Sequence, residues 1–313
     1  MNTFNMTRRQ WVQAGALALG TGALTSVQAQ PSPVLLAQLA NLTGQERLNK
    51  LVEGARKEGQ LSIYTSMPVD DIGALTSAFE QKYGVKSKVW RSGSEKILQR
   101  GLLEARAKRY EVDVFETNGP ELEVFSREKL LQECKSPHLV DLIPQAIRPH
   151  KEWIATRLNI FTCAYNTKLV KKEDLPKTYA DLLDPKWKGK LAVEAEDSDW
   201  LAETVMKMGE EKGIALFKEI ARKNSISVRK GHTLLANLVA SGEVPLGLTL
   251  YNYKIEQMKN SGAPVDWFTL DPTVARPNGN GVAKNAPNPH AALLFHDFEL
   301  SEGQAILGKR DFI

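Results

Sequence analysis

The 313-residue chain has two cysteines, Cys134 and Cys163, and five histidines. No CxxC motif or Cys/His cluster occurs, so nothing has the ligand spacing of a structural zinc site. An excess of one charge is also missing. The 41 Lys and Arg are interleaved with 37 Asp and Glu, for a formal net charge of +4, and no basic block stands out. No nucleic-acid partner is expected from such a balance. Catalytic signatures are absent as well. None of His138, His150, His232, His290 and His296 sits in HExxH, and no G-x-S-x-G, P-loop or G-x-G-x-x-G occurs. The sequence therefore specifies no nucleophile with a base, and neither a catalytic residue nor a resident cofactor is assigned. Repeats and low-complexity tracts are lacking. No stretch beyond the N-terminal segment is apolar over the roughly 20 residues that a membrane span takes.

That N-terminal segment, "TRRQWVQAGALALGTGALTSVQAQ", is distinctive. Arg8-Arg9 follow a polar residue and precede an aromatic and an aliphatic one. A mild apolar stretch, Ala14 to Leu24, comes next, and Val27-Gln28-Ala29 offers small residues where a signal peptidase reads. Residues 1–29 are read as a cleaved secretory signal of the twin-arginine type, with the mature protein soluble in the periplasm. An oxidising compartment permits a disulfide. Cys134 lies in the polar "ECKSP" and Cys163 in the β-like "NIFTCAYN", and nothing in the sequence brings them together, so their pairing stays open.

With 42% hydrophobic residues and this length, the chain can bury a sizeable core in about two domains. Residues 30–43 read as a Pro- and Ala-containing lead-in. Residues 45–58 form an amphipathic helix stopped by Gly59. "LSIYTS", "VKSKVW" and "VDVFET" are strands, separated by helices at Val69–Tyr83 and Glu95–Lys108. This β-α-β-α-β order predicts a parallel sheet flanked by helices. A second α/β unit follows, with strands in "RLNIFTCAYN", "KLAV", "SISVR", "PLGLTL" and "PVDWFTL". Helices are expected in "TYADLL", at Trp200–Lys207, Glu210–Arg222 and Thr233–Ala240, and through Ile255–Lys259. "DPTVARPNGNG" breaks the pattern, and two helices close the chain, at Pro289–Phe298 and from Ser301. The fold class is α/β with two lobes. Lobe 1 takes residues 30–157 plus 274–313 and lobe 2 takes 158–273, with crossings near 155–162 and 268–276. Clefts between such lobes are preferred ligand sites.

In open α/β sheets, ligands bind beyond the strands' carboxyl ends, at helix N-termini. Thr65 and Ser66 end the first strand, and each could equally cap the next helix. Ser92, Gly93 and Ser94 follow the second strand, Gly93 allowing close backbone approach. Thr117 and Asn118 follow the third, where Asn-Gly is also an ordinary turn. Arg157, at the first crossing, could grip a carboxylate or phosphate, or serve an ion pair between the lobes. Asp197 suits a helix cap, and Trp200 suits either a ligand or the core. Gly231, His232 and Thr233 open a helix, with Thr233 as a cap. "LTLYNYK" carries Tyr251 and Tyr253 around Asn252. Tyrosines at alternate positions are expected to point in different directions. This leaves ferric ligation, stacking on an organic solute, or core packing as open roles.

Several stretches together resemble one family: "GQLSIYTSMP", "YEVDVFETNGPELEVFSREKLL", "AYNTKLVKKEDLPKTYADLLDPKWKGKLAVE", "RKGHTLLANLVASGEVPLGL" and "NAPNPHAALLFHDFELSEGQAIL". With "KNSGAPVDWF" they cover most of residues 59–307. They are similar to the extracellular solute-binding proteins of ABC importers, in the branch that includes ferric-ion-binding proteins. The resemblance implies a type II periplasmic-binding-protein fold closing on its solute and a monomer that delivers it to an inner-membrane permease. It also implies further residues beyond Ile313. Ferric-binding relatives carry two adjacent tyrosines at the position of "YNY", often helped by a first-lobe His or Glu. Here Asn252 separates them and "TSMPVDD" holds no His. The expected cargo is therefore a small anionic solute, with Fe3+ held by Tyr251 and Tyr253 as the alternative.

Overall fold

The computed structural model describes residues 32–310; the expected signal segment lies outside the described residues. Helices α1 (Pro33–Ala40) and α2 (Gly44–Glu58) precede the first strand. The first lobe continues with β1 (Gln60–Thr65), α3 (Val69–Tyr83), β2 (Lys86–Arg91), α4 (Ser94–Arg106), β3 (Val114–Asn118) and α5 (Gly119–Arg127). A long strand, β4 (Ile154–Asn166), leads into the second lobe. There follow β5 (Leu191–Glu194), α6 (Ser198–Met208), α7 (Glu210–Asn224), β6 (Ile226–Arg229), α8 (His232–Ser241), β7 (Leu246–Tyr251), α9 (Asn252–Asn260) and β8 (Val265–Phe268). The chain returns along β9 (Ala275–Val282) to α10 (Pro289–Glu299) and α11 (Glu302–Gly308).

Strand order is β2-β1-β3-β9-β4-β7-β5-β6, with β8 also on β4. β1 pairs in parallel with β2 and β3, and β5 in parallel with β6 and β7. Antiparallel strands join these blocks. β9 pairs with β3 and with the first half of β4, Ile154–Ile160. The second half of β4, from Phe161, pairs with β7 and β8. One continuous strand thus serves both lobes.

Each lobe has its own core. Ile63, Phe79, Phe125 and Phe295 belong to the first; Trp187, Trp200, Leu246 and Tyr251 belong to the second. Helix α10 is buried on nearly every side, its Ala, Leu and Phe side chains packing in the core. Its Asp297 pairs with the buried Arg47 of α2 at 2.7 Å, which ties the N-terminal helices to the lobe. Helix α2 ends where expected, with Gly59 at φ 70° and its N–H on the Ala55 carbonyl. Cys134 and Cys163 are both free and buried in different cores.

Four segments differ from the sequence reading. The lead-in contains α1: Ser32 caps it, Pro33 occupies its first turn, and Leu36 and Leu39 are buried. "TNGP" opens α5 rather than only a turn, with Pro120 in its first turn. "YADLL" is a short 3₁₀ turn closed by a Thr178–Asp181 capping box. The Pro- and Gly-rich "ARPNGNGV" is β9, not a break. Its glycines are there for close approach, since a Cβ on Gly279 would lie 2.3 Å from the Ile154 carbonyl oxygen.

Candidate ligand-binding cleft

A cavity of about 500 Å³ lies where the carboxyl ends of strands from both lobes meet. Ser66, Arg91, Ser92, Gly93, Ser94, Lys96, Asn118 and Glu121 line it from the first lobe. Arg157 and Asn159 of β4 and Arg276 and Asn278 of β9 form its floor. From the second lobe come Glu194, Glu196, Lys230, Gly231, His232, Thr233, Tyr251 and Tyr253. A shallower groove of about 610 Å³ between α2 and α3 is mostly apolar, and its lining includes Leu48, Val52 and Tyr83.

Helices α4, α5, α8 and α9 all begin at the cleft, after Gly93, Asn118, Gly231 and Tyr251, and none has a side-chain cap. Each helix start leaves unsatisfied N–H groups and a partial positive charge. The helix starts and the Arg91 and Lys96 side chains make an anion-accepting surface. Lys230 reaches from the second lobe to Glu196 at 2.9 Å and to Glu95 of the first at 3.5 Å.

The two floor arginines are already paired. Arg157 and the Thr65 hydroxyl both donate to Glu116, deep in the first lobe. Arg276 donates to Asp197 at 3.0 Å, to Asp199 at 3.0 Å and to the Tyr251 hydroxyl. Its guanidinium lies 4.8 Å from the centre of the Phe161 ring. Burial opposes the charge on Arg276; Tyr251, Asp197 and Asp199 more than offset it and leave its pKa above the ordinary value.

His232, Tyr251 and Tyr253 form one aromatic wall. The His232 and Tyr251 rings stack at 4.1 Å and the two tyrosines at 5.8 Å, each pair within 16° of parallel. The expected divergence of the tyrosines does not occur. Side chains two positions apart share a face of extended backbone, and Tyr251 at the end of β7 and Tyr253 in the first turn of α9 both line the cavity. Burial pushes both phenols above their ordinary pKa, although Arg276 beside Tyr251 and Arg157 near Tyr253 act the other way.

Glu194, Asp197 and His232 place ligand atoms within 4.8 Å of one another, as a cation site would. Their bonds are committed otherwise. Glu194 accepts from the Gly231 and Glu196 amides, and Asp197 holds both Arg276 and His232.

Four residues expected at the ligand do not line the cavity. Thr65 is fully buried, giving its hydroxyl to Glu116 and accepting from the Met67 amide. Thr117, on β3, is also fully buried. Trp200 is buried between Tyr179 and Phe217 in the second core, where its indole has the larger apolar surface to cover. Asp197 stands behind Arg276 and His232. The expected caps also shift: Pro68 precedes α3, Gly231 precedes α8, and Asp197 precedes α6 without a side-chain bond. The sequence reading missed Arg276, Asn278, Asn159, Arg91, Lys96, Glu121, Glu194, Glu196 and Lys230. For Arg276 and Asn278 the only signal was their place in a segment set aside as a loop.

Two α/β lobes that share strands and enclose a polar cleft define the class of type II periplasmic binding proteins. Residues 113–309 match the family of bacterial extracellular solute-binding proteins, and the chain belongs to that family. It is a substrate-binding protein of an ABC import system, a family of solute-binding proteins and not of enzymes, working with a membrane permease. Iron uptake protein A1 of a Synechocystis species is 24% identical over 89% of this chain and 82% of that protein. The periplasmic binding protein AfuA from Actinobacillus pleuropneumoniae, solved with exogenous fructose-6-phosphate bound, is 27% identical. That match covers 82% of this chain and 83% of that one, with a TM-score of 0.72. Iron-bound HitA from Pseudomonas aeruginosa shares the fold at 24% identity and a TM-score of 0.69, over 80% of this chain and 84% of that one.

Proposed function

We propose that this protein is the periplasmic receptor of an importer for a small organic anion. On this reading, residues 30–157 plus 274–313 and residues 158–273 are the two lobes, and they close about crossings near 155–162 and 268–276. The twin-arginine segment, residues 1–29, directs export and is cleaved. The monomeric, loaded protein then presents its solute to an inner-membrane permease, and no turnover of the solute is expected.

The observation that carries the anion is the convergence of four helix starts without side-chain caps on one cleft. Ser66, Ser92, Gly93, Ser94, Asn118, Gly231, His232 and Thr233 are the proposed ligand contacts around them, with Arg91 and Lys96. Tyr251 and Tyr253 act as a wall for the organic part. Such helix starts bind carboxylate or phosphate through backbone N–H groups. AfuA, solved with exogenous fructose-6-phosphate bound, supports the same direction.

A ferric cargo is the second reading, favoured by the parallel tyrosine rings and by the iron-protein relatives. Against it, the Tyr251 hydroxyl is engaged by the Arg276 guanidinium, a cation that a ferric ion at that oxygen would have to displace. Difference spectroscopy with ferric citrate separates the two. The anion reading predicts no phenolate-to-iron band in the visible, together with calorimetric binding of organic phosphates or carboxylates. A visible band lost on replacing both tyrosines by Phe replaces it with the iron reading.

A further inference from the structure

The four helix starts at the cleft are not equal. The Glu194 carboxylate, only 4% exposed, takes the Gly231 amide at 2.7 Å directly before α8. The first turn of α5 carries Glu121, whose carboxylate takes its own amide. At α9 the cavity meets the Tyr251 and Tyr253 rings, and Asn252 between them does not line it. Those three starts already face a carboxylate or an aromatic ring. Helix α4 differs. Ser92, Gly93, Ser94 and Lys96 all line the cavity, and Glu95 turns to Lys230 at 3.5 Å.

Ser94, the first residue of α4, adds an independent mark. It is only 6% exposed and lines the cavity, and its hydroxyl has no hydrogen-bond partner among the described residues. That hydroxyl is not sealed from water as the Thr117 hydroxyl is, so it opens toward the cavity. Arg91 and Lys96 line the same cavity. Arg91 gives its Nε to the Met67 carbonyl at 3.3 Å, and neither cation meets a carboxylate among the described residues. The opposite wall is acidic. Glu194 and Glu196 line it, and Asp197 and Asp199 hold Arg276, so four carboxylates outnumber Lys230 and Arg276 there. An acidic group against that wall meets charge of its own sign with little water to screen it.

We infer that the solute carries a single acidic group, seated on the first lobe at the start of α4 with Ser94 as its side-chain contact, and that the second lobe rejects a second acid at the other end. This rests on the anion reading above and deepens it. A hydrogen bond from Ser94 to a charged group is worth about a ten- to hundredfold difference in affinity. The first-turn amides of α4 add the partial positive charge of a helix start. Charge is thus read by one lobe, and the organic part by the aromatic wall of the other.

Calorimetry on the full mature protein with matched probes tests it. Hexanoate is compared with adipate, and hexyl phosphate with 6-phosphohexanoate, so that each pair differs by one carboxylate at equal chain length. The monoacid of whichever pair binds should be tighter by about tenfold, the order expected of one uncompensated like charge across the cavity. Ser94→Ala should weaken that binding by about tenfold or more, as one lost bond to a charged group does. Lys96→Gln, on an exposed side chain, should lower both the affinity and its salt dependence, which keeps the test open if the first variant does not fold. Thr233→Ala, at the start of α8, should cost less than Ser94→Ala. A diacid that binds as tightly as its monoacid overturns the inference and spares the anion reading. A loss at Thr233→Ala as large as at Ser94→Ala does the same. Silence of all four probes overturns the anion reading and this inference together.

Discussion

Arg157 and Arg276 sit on neighbouring antiparallel strands, opposite Asn278 and Asn159. They share one side-chain chemistry and one cavity floor, yet they serve opposite lobes. Arg157 is buried against the Glu116 carboxylate inside the first lobe. Arg276 spans Asp197, Asp199 and Tyr251 of the second lobe, and Asp199 is partly open to water. The difference teaches that an arginine at a strand crossing is not in itself a ligand clamp. Its charge reaches a solute only so far as its carboxylates leave it free, and here both arginines are matched. The floor is organised by them, and the anion-binding capacity passes to the helix starts, Arg91 and Lys96.

The contrast can be broken most directly at Arg157. Arg157→Met leaves Glu116 buried without its partner and is expected to cost about 3–5 kcal/mol in denaturant unfolding. Adding Glu116→Gln should restore most of that loss. A cost under about 1 kcal/mol would mean that Arg157 is no more structural than Arg276.

Arg276→Gln should cost less in stability, about 1.5–3 kcal/mol, because Asp199 can turn to solvent. It should lower solute affinity by about tenfold or more through displacement of Tyr251, taking one lost bond to a charged group as the measure. Calorimetry beside thermal melts separates the two effects. A stability loss with unchanged affinity would erase the functional half of the comparison. Tyr251→Phe removes only the bond from Arg276 and is expected to cost about 0.5–1.5 kcal/mol of stability.

Two buried groups of α10 make stability depend on pH in opposite directions. Near Arg157, Glu299 is buried and bonded by Asn280, and burial together with the Glu116 charge pushes its pKa up to about 8. A carboxyl raised on folding keeps its proton where the unfolded chain, near its ordinary 4.5, has released it. Stability is therefore lost as pH rises from about 4.5 through about 8. Buried His296, pushed down to about 4 by desolvation, loses stability in the opposite direction, as pH falls from about 6.5 through about 4. Glu299→Gln should flatten the decline in melting temperature between pH 5.5 and 8.5 and leave the acid limb intact. An unchanged alkaline slope would remove Glu299 from the account. The smallest effect is expected at Lys230, whose pairs with Glu95 and Glu196 are exposed. Lys230→Gln should leave the melting temperature unchanged and weaken only the salt dependence of binding.

Much of the scaffold was readable because its signals are local. Helix α3 spans the expected residues, and α2 stops at Gly59. The runs "PLGLTL" and "SISVR" became β7 and β6. The failures share a cause. In β9, proline and glycine argue for a loop within a short window, yet Gly279 is required because another strand's carbonyl stands where its side chain would be. Trp200 could be read as a ligand platform until Tyr179 and Phe217 closed around it. Tyr251 and Tyr253 could be read as divergent, yet their rings stand within 16° of parallel and both line the cavity.

Local order along the chain was enough to determine two α/β units, most helix and strand positions, and the loops after Thr65, Arg91 and Arg229 that border the cavity. Periodicity and end signals act within a few residues, so one sequence carries them. Tertiary structure alone decided that one strand serves both lobes, that Arg157 belongs to Glu116, and that Arg276 holds Tyr251. Those outcomes depend on groups 25 to 79 residues apart meeting where water is excluded. There an unpaired charge or polar atom is costly enough to choose its own partner.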